Sequence, residues 1–107
     1  MGRQQVGTRR TPRVAVITMG HAPRPDVMRE IVPLLGEAEC DEFGALDKDT
    51  ESTIARMAPI GDELSYLTQL RGGRHVIVEA GFVTSRTEAL VTEIDGRDYD
   101  LLILAMT

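Results

Sequence analysis

The chain has 107 residues and a formal net charge of −5, with 42% hydrophobic and 4% aromatic residues. This length fits one small domain with a core of Val, Ile, Leu, Ala and Met. The acidic charge disfavours nucleic-acid binding, which relies on the neutralisation of phosphates by basic side chains. No apolar run approaches the ~20 residues that a membrane-spanning helix needs. We therefore expect a protein that binds neither nucleic acid nor a membrane.

The amino-terminal segment 1–11 shows no periodicity and is basic, which predicts a disordered tail before an α/β domain over 12–107. It lacks the apolar centre of a secretory signal. Cys40 is the only cysteine of the chain, so an intramolecular disulfide cannot form. These features favour a soluble cytoplasmic protein.

The first predicted strand is the apolar, β-branched run Arg13–Met19, a pattern typical of a strand covered on both faces. After a loop, Pro25 suits the first position of a helix, and Gly36 suits its end. A second strand is predicted over Ala38–Phe43. A short helix follows it, and Pro59 closes that helix.

Two strand-like runs, Leu64–Leu70 and His75–Glu79, flank the pair Gly72-Gly73 and predict a β-hairpin. The capping box Ser85-x-x-Glu88 predicts the start of the next helix, and Tyr99–Met106 is the last predicted strand. This order predicts an α/β fold with a mainly parallel sheet flanked by helices, a three-layer αβα arrangement. The hairpin is either an insertion or an antiparallel edge of that sheet.

Polar residues follow the first strand, at the carboxyl edge where α/β sheets bind ligands. Gly20 lets backbone N–H groups approach a ligand, and the Arg24 guanidinium presents a fork that suits a carboxylate or a phosphate. Thr18 offers a hydroxyl at the strand end. His21 is the residue type that general acid–base catalysis uses most often. These four residues are candidate ligand contacts.

Each candidate also has a structural alternative. Gly20 would serve only the turn. Arg24 would pair with an acid such as Asp26 or Glu30. His21 would be a solvated residue or a hydrogen-bond partner. The sequence leaves both interpretations open for each of these residues.

Three further residues bear on the site. Asp47 follows the second strand and opens toward the same crevice, with turn or cap duties as its alternative. Cys40 stands among four acids whose charge disfavours nucleophilic use of the thiol, so we interpret it as a strand residue. His21 and His75 lie far apart without paired Cys or Asp ligands, which predicts no metal site. No motif indicates a cofactor.

Four segments of the chain resemble the AroM family. They are Ile17–Asp26, Gly44–Asp47, Leu67–Val76 and Tyr99–Thr107, and the similarity covers about 12–107. The pattern Thr-x-Gly-x-x-Pro-Arg-x-Asp in the first segment is specific in combination with the other three. AroM-family proteins resemble the aspartate/glutamate/hydantoin racemase superfamily, in which two similar α/β lobes enclose the site.

The resemblance implies that this chain is a first, racemase-like lobe, which would pair with a second lobe or form a homo-oligomer. The loop after the last strand would then face the first loop across a cleft, so Met106 and Thr107 join the candidate site. Superfamily racemases use one cysteine from each lobe as acid and base. Met106 stands where the first such cysteine is expected, and its thioether cannot carry a proton.

Three hypotheses follow for the function. The first is the binding of a small carboxylate, an amino acid or an aromatic-pathway acid, at the carboxyl ends of the strands. If the protein is an enzyme, this first hypothesis implies cofactor-independent proton transfer of the racemase or isomerase type. The second is a non-catalytic ligand-binding or regulatory protein, since a fold does not fix a function. The third is a lobe that acts only as an assembly partner.

Overall fold

The computed structural model describes residues 11–106 of the chain. The elements, in chain order, are β1 (Arg13–Thr18), α1 (Pro25–Leu35), β2 (Glu39–Gly44), α2 (Glu51–Ala55), β3 (Ser65–Gln69), β4 (His75–Glu79), α3 (Ala80–Asp95) and β5 (Leu101–Ala105). The predicted basic tail lies outside the described residues except for Thr11, which is exposed. Thr107 also lies outside them.

Strands β2, β1 and β5 form a parallel sheet in that order, which confirms the predicted α/β class. The central strand β1 is an apolar run, buried from Val14 to Thr18. Its last residue, Thr18, pairs with Gly44 of β2 and with Ala105 of β5. The carboxyl ends of all three strands therefore meet at one edge, which we call the carboxyl edge.

Helices flank this sheet. Side chains alternate between the faces of a strand, so Val14 and Val16 point to one face while Ala15 and Ile17 point to the other. On the second face lies a cluster that includes residues of α3: Ala15, Ile17, Phe43, Leu90, Val91, Ile94, Tyr99 and Leu102. The half-buried apolar residues of α1 recur at helical spacing: Val27, Met28, Ile31 and Leu35. The predicted three-layer arrangement is compatible with this packing.

The hairpin β3–β4 forms a separate antiparallel sheet, so the prediction of an insertion is confirmed and that of an antiparallel edge is wrong. One hairpin face joins a second core beyond the carboxyl edge. Its members are Met19, Ala45, Leu46, Ile54, Met57, Leu70, Val78 and Val83, with Tyr66, Val76 and Phe82 against them. The loop Arg71–Gly73 is closed by a bond from Leu70 N–H to Arg74 O of 2.7 Å. The hairpin therefore covers part of the carboxyl edge.

Helix α3 begins at Ala80, directly after β4, so the helix start predicted from Ser85-x-x-Glu88 is wrong. Its N-cap, Glu79, makes no side-chain capping bond. The Ala80 N–H donates instead to Leu64 O at 2.8 Å, which supplies an acceptor that a capping side chain would otherwise provide. Burial of Val83 in the second core further holds this first turn. Tertiary packing thus sets the helix start.

The amino ends of the strands are joined by polar contacts. The backbone of Arg13 exchanges two hydrogen bonds with Asp100, each 2.8 Å long. The Tyr99 hydroxyl donates to Asp41 at 2.6 Å, and the Arg13 guanidinium lies 4.7 Å from the Tyr99 ring centre. The Tyr99 hydrogen bond lowers the pKa of Asp41 and raises that of Tyr99. No helix among residues 11–106 is long and apolar enough to cross a membrane.

Candidate functional site

The loop after β1 brings the predicted site residues together, but beneath the hairpin rather than on an open crevice. Thr18, His21 and Arg24 are each exposed by 5% or less. Gly20 has no room for a side chain, because an added Cβ would lie 2.2 Å from Gln69 O. The His21 N–H donates to the same oxygen at 3.3 Å. The hairpin and the loop 18–24 are thus in close backbone contact.

His21 is a buried hydrogen-bond partner, so its interpretation as a solvated residue is wrong. Its Nδ1 accepts the backbone N–H of Arg71 at 2.9 Å. An accepting Nδ1 assigns the proton of the neutral ring to Nε2. That Nε2 is buried and has no hydrogen-bond partner among residues 11–106.

Two buried hydroxyls at this edge also lack a hydrogen-bond partner among the described residues. They are Thr18 Oγ1 at the end of β1 and Thr68 Oγ1 on β3. Thr68 lies against the loop, since a Cβ added to Gly20 would be 2.8 Å from Thr68 Oγ1. A buried polar group without a partner costs about 1–3 kcal/mol. The sequence analysis did not identify Thr68. It lies two residues after Tyr66 on β3 and therefore faces the same side as that residue, toward the second core.

The Arg24 side chain pairs with Asp26, which confirms the structural alternative for that arginine. Nε donates to one carboxylate oxygen at 2.9 Å and Nη2 to the other at 2.8 Å. The side chain of Arg24 is 6% exposed and that of Asp26 is 51% exposed. This contact lowers the pKa of Asp26 to about 2 and raises that of Arg24. The guanidinium fork therefore already holds one carboxylate.

Asp47 joins the two loops of the carboxyl edge. Its oxygens accept the backbone N–H of Ala22 at 2.9 Å and that of Gly44 at 2.7 Å. Arg71 also reaches Asp47, with Nη2 3.4 Å from Oδ1, and donates to Ala22 O at 3.2 Å. The turn role considered for Asp47 is confirmed. Arg71, which the sequence places only in a hairpin turn, is an additional cation beside His21.

The remaining candidates are spread along β5 and β2. Met106 follows β5 at the carboxyl edge and is 44% exposed, while Thr107 lies outside the described residues. Cys40 is a residue of β2, as interpreted, and pairs with Val14 at the other end of the sheet from Thr18. Four residues of strand separate these levels by roughly 13 Å. No three His, Cys, Asp or Glu side chains within 11–106 are grouped to hold a metal ion.

The parallel sheet, with polar loops at its carboxyl edge, defines the class of α/β proteins that bind ligands there. The family described as AroM protein matches residues 14–107. Because this match covers most of the chain, the protein belongs to the AroM family, as its motifs indicate. Comparisons with curated proteins and with solved structures find no match.

We predict that Gly44→Ala destabilises the protein. The new Cβ would lie 2.4 Å from Gly20 O and 2.6 Å from Ala22 N, so backbone would have to move. Overpacking of this kind costs about 1–3 kcal/mol or more, to be measured by urea denaturation. The control is Gly81→Ala in α3, where the nearest atom to the new Cβ is 3.5 Å away. It should retain or raise stability, and equal losses in both variants would contradict the close contact.

We also predict an acid dependence that comes from the Arg24–Asp26 pair. The pKa of Asp26 falls from 3.8 to about 2 on folding, so the folded state favours the ionised carboxylate. The resulting stabilisation is complete above about pH 4 and is lost as the pH falls through about 2. Asp26→Asn should therefore flatten the fall of unfolding free energy over this range. Asp62→Asn, at an exposed acid of the α2–β3 loop, should behave as the wild type. An unchanged slope in Asp26→Asn would refute the assignment.

Proposed function

We propose that this AroM-family protein binds a small carboxylate, such as an amino acid, at the carboxyl edge. The observation that carries the proposal is that three of the buried polar atoms without hydrogen-bond partners among residues 11–106 belong to this edge: Thr18 Oγ1, His21 Nε2 and Thr68 Oγ1. Two hydroxyls and a ring N–H offer donors that the oxygens of a small ligand would satisfy. Satisfying them would also offset the cost of their burial.

The positive charge that a carboxylate requires comes from Arg24. Its guanidinium is planar and holds Asp26 through two parallel bonds, the geometry it would offer a ligand carboxylate. Because the Asp26 side chain is half exposed, it is able to turn into solvent when a ligand replaces it. Arg71, with its side chain 59% exposed, would add a second cation at the mouth.

Access to this site requires the hairpin loop to separate from loop 18–24. The hydrogen bonds between them are the 2.9 Å bond to His21 Nδ1, the 3.3 Å bond to Gln69 O and the 3.2 Å bond from Arg71 Nη2 to Ala22 O, and Met19 and Leu70 pack in the second core beside them. A ligand seated there would be shielded from water by the returning hairpin. Met106, which follows β5, would contact the ligand from the opposite side.

Ligand binding without catalysis, as in a regulatory protein, is the form of this proposal that the residues favour. Met106 has no titratable group, and Cys40 lies at the opposite end of the sheet. Proton transfer of the racemase or isomerase type is the second candidate, and His21 Nε2 is the observation that favours it. A cytoplasmic location and a relationship to the racemase superfamily stay predictions of the sequence.

The binding proposal is tested by titrating a panel of small carboxylates, including amino acids, by calorimetry. Arg24→Ala should weaken binding by about tenfold or more, because a charge partner is removed from a buried site. Asp26→Asn should strengthen binding, because it removes the carboxylate that competes with the ligand for Arg24. Arg29→Ala, at an exposed position of α1, is the matched control and should bind as the wild type. Equal affinity in Arg24→Ala and the wild type would exclude the role of Arg24.

The catalytic alternative is tested by deuterium exchange at the α-carbon of each bound amino acid, followed by proton NMR in D₂O. Racemase-type chemistry predicts loss of the α-proton signal, and His21→Gln should slow this loss at least tenfold. Binding without exchange across the panel would leave the regulatory form of the proposal and exclude the catalytic one.

A further inference from the structure

A second candidate site is a cavity between helix α3 and the turn that follows β2, which we call the second cavity. Asp47, which accepts the Ala22 N–H of loop 18–24, is among its lining residues. The volume of the second cavity is about 350 Å³. Phe43 and Ala45 of the β2 end form one apolar wall, and Ala89 and Leu90 of α3 form the other. Pockets that hold small ligands start near ~300 Å³ and are mostly apolar with a few polar groups. The size and the walls therefore suit a small molecule with an apolar body.

Three carboxylates line this cavity, and each has a stronger partner than Lys48. Asp47 accepts two backbone N–H groups and pairs with Arg71. Arg86 holds Asp49 through two bonds of 3.0 and 3.1 Å. One carboxylate oxygen of Glu93 accepts a hydrogen bond from the guanidinium of Arg97, four residues later in the chain. Lys48 Nζ lies 3.3 Å from the other carboxylate oxygen of Glu93. The Lys48 side chain is 82% exposed. An exposed ion pair of this kind is weak, so Lys48 is able to exchange Glu93 for another anion at little cost.

We infer that this cavity is a second binding site, which takes a small molecule with an apolar ring or chain and one anionic head group. The apolar body would lie between Phe43 and Leu90, and the head group would pair with Lys48 Nζ at the mouth. The two sites share Asp47, but the inference does not require the proposed function, because Thr18, His21 and Arg24 are not among the residues that line this cavity.

The test uses benzoate as the probe and the complete 107-residue chain, followed by ¹H–¹⁵N NMR titration. Benzoate should shift the backbone signals of Phe43, Ala45 and Leu90 in a saturable way. Lys48→Met keeps the aliphatic stem and removes the charge, so it should weaken benzoate binding about two- to fivefold. Lys48→Arg should restore it, and Arg29→Met on the far helix α1 should leave it unchanged.

Ala89→Leu is the second variant. Position 89 is exposed on α3, so a larger side chain there fills the cavity without disturbing a buried core, and it should abolish the benzoate shifts. Benzamide, the neutral analogue, should bind more weakly than benzoate. The inference is overturned if benzoate shifts none of these signals, if Lys48→Met and Ala89→Leu bind it as the wild type does, or if benzamide binds equally well. It is also overturned if the signals shift with protein concentration alone, since a second copy would then be the occupant.

Failure of the second-cavity inference leaves the carboxyl-edge proposal intact, because Arg24 does not line this cavity. The reverse also holds, since Lys48→Met leaves the Arg24–Asp26 pair in place. A ligand whose binding depends on Arg24 and not on Lys48 occupies the carboxyl edge. One that depends on Lys48 and not on Arg24 occupies the second cavity.

Discussion

Close backbone packing between the loops after β1 and β2 sets the geometry of the carboxyl edge. Gly44 lies so near Gly20 and Ala22 that no side chain fits at position 44. Asp47 then accepts one N–H from each loop, and Leu46 N–H donates to Gly20 O at 2.9 Å. A carboxylate with both oxygens bonded to backbone N–H groups holds two chain segments in one arrangement. The carboxylate of Asp47 also receives Arg71 from the hairpin, so all three segments of the edge meet at this side chain.

The hairpin depends on the same arrangement. Because Gly20 lacks a side chain, Gln69 O is able to approach the loop and accept the His21 N–H. The second core then forms from residues of both partners, with Met19 and Leu46 on one side and Val78 on the other. An insertion that would otherwise expose two apolar strands is thereby stabilised against the end of the sheet. The outer hairpin face still exposes Leu67 and Ile77, which are cross-strand partners.

Most of the fold was predictable because its signals are local. The β-branched run of β1, Pro25 at the start of α1 and the glycine pair of the hairpin each act within a few residues. The start of α3 was not predictable from Ser85, because the acceptor for its first N–H is Leu64 O, a contact outside the local sequence. Placement of the hairpin over the carboxyl edge also depends on non-local packing.

The sequence likewise predicts only part of the candidate site. Thr18, Gly20, His21 and Arg24 come together because they share one loop, so their grouping follows from the sequence. Their burial does not follow, because the hairpin that covers them comes about 45 residues later in the chain. Thr68 belongs to that hairpin, and only its contact with Gly20 brings it to the site.

The polar groups of the carboxyl edge divide into two kinds, and this division separates scaffold from candidate binding residues. Asp47 is bonded to both loops, and its removal would leave two backbone N–H groups without acceptors. Thr18, His21 Nε2 and Thr68 hold no loop together through these atoms, yet they are buried at a cost. If the hydroxyls of Thr18 and Thr68 had only a structural role, replacing both threonines by valine would raise the stability of the protein. Polar atoms kept beside a fully bonded scaffold are what a site for a small polar ligand requires.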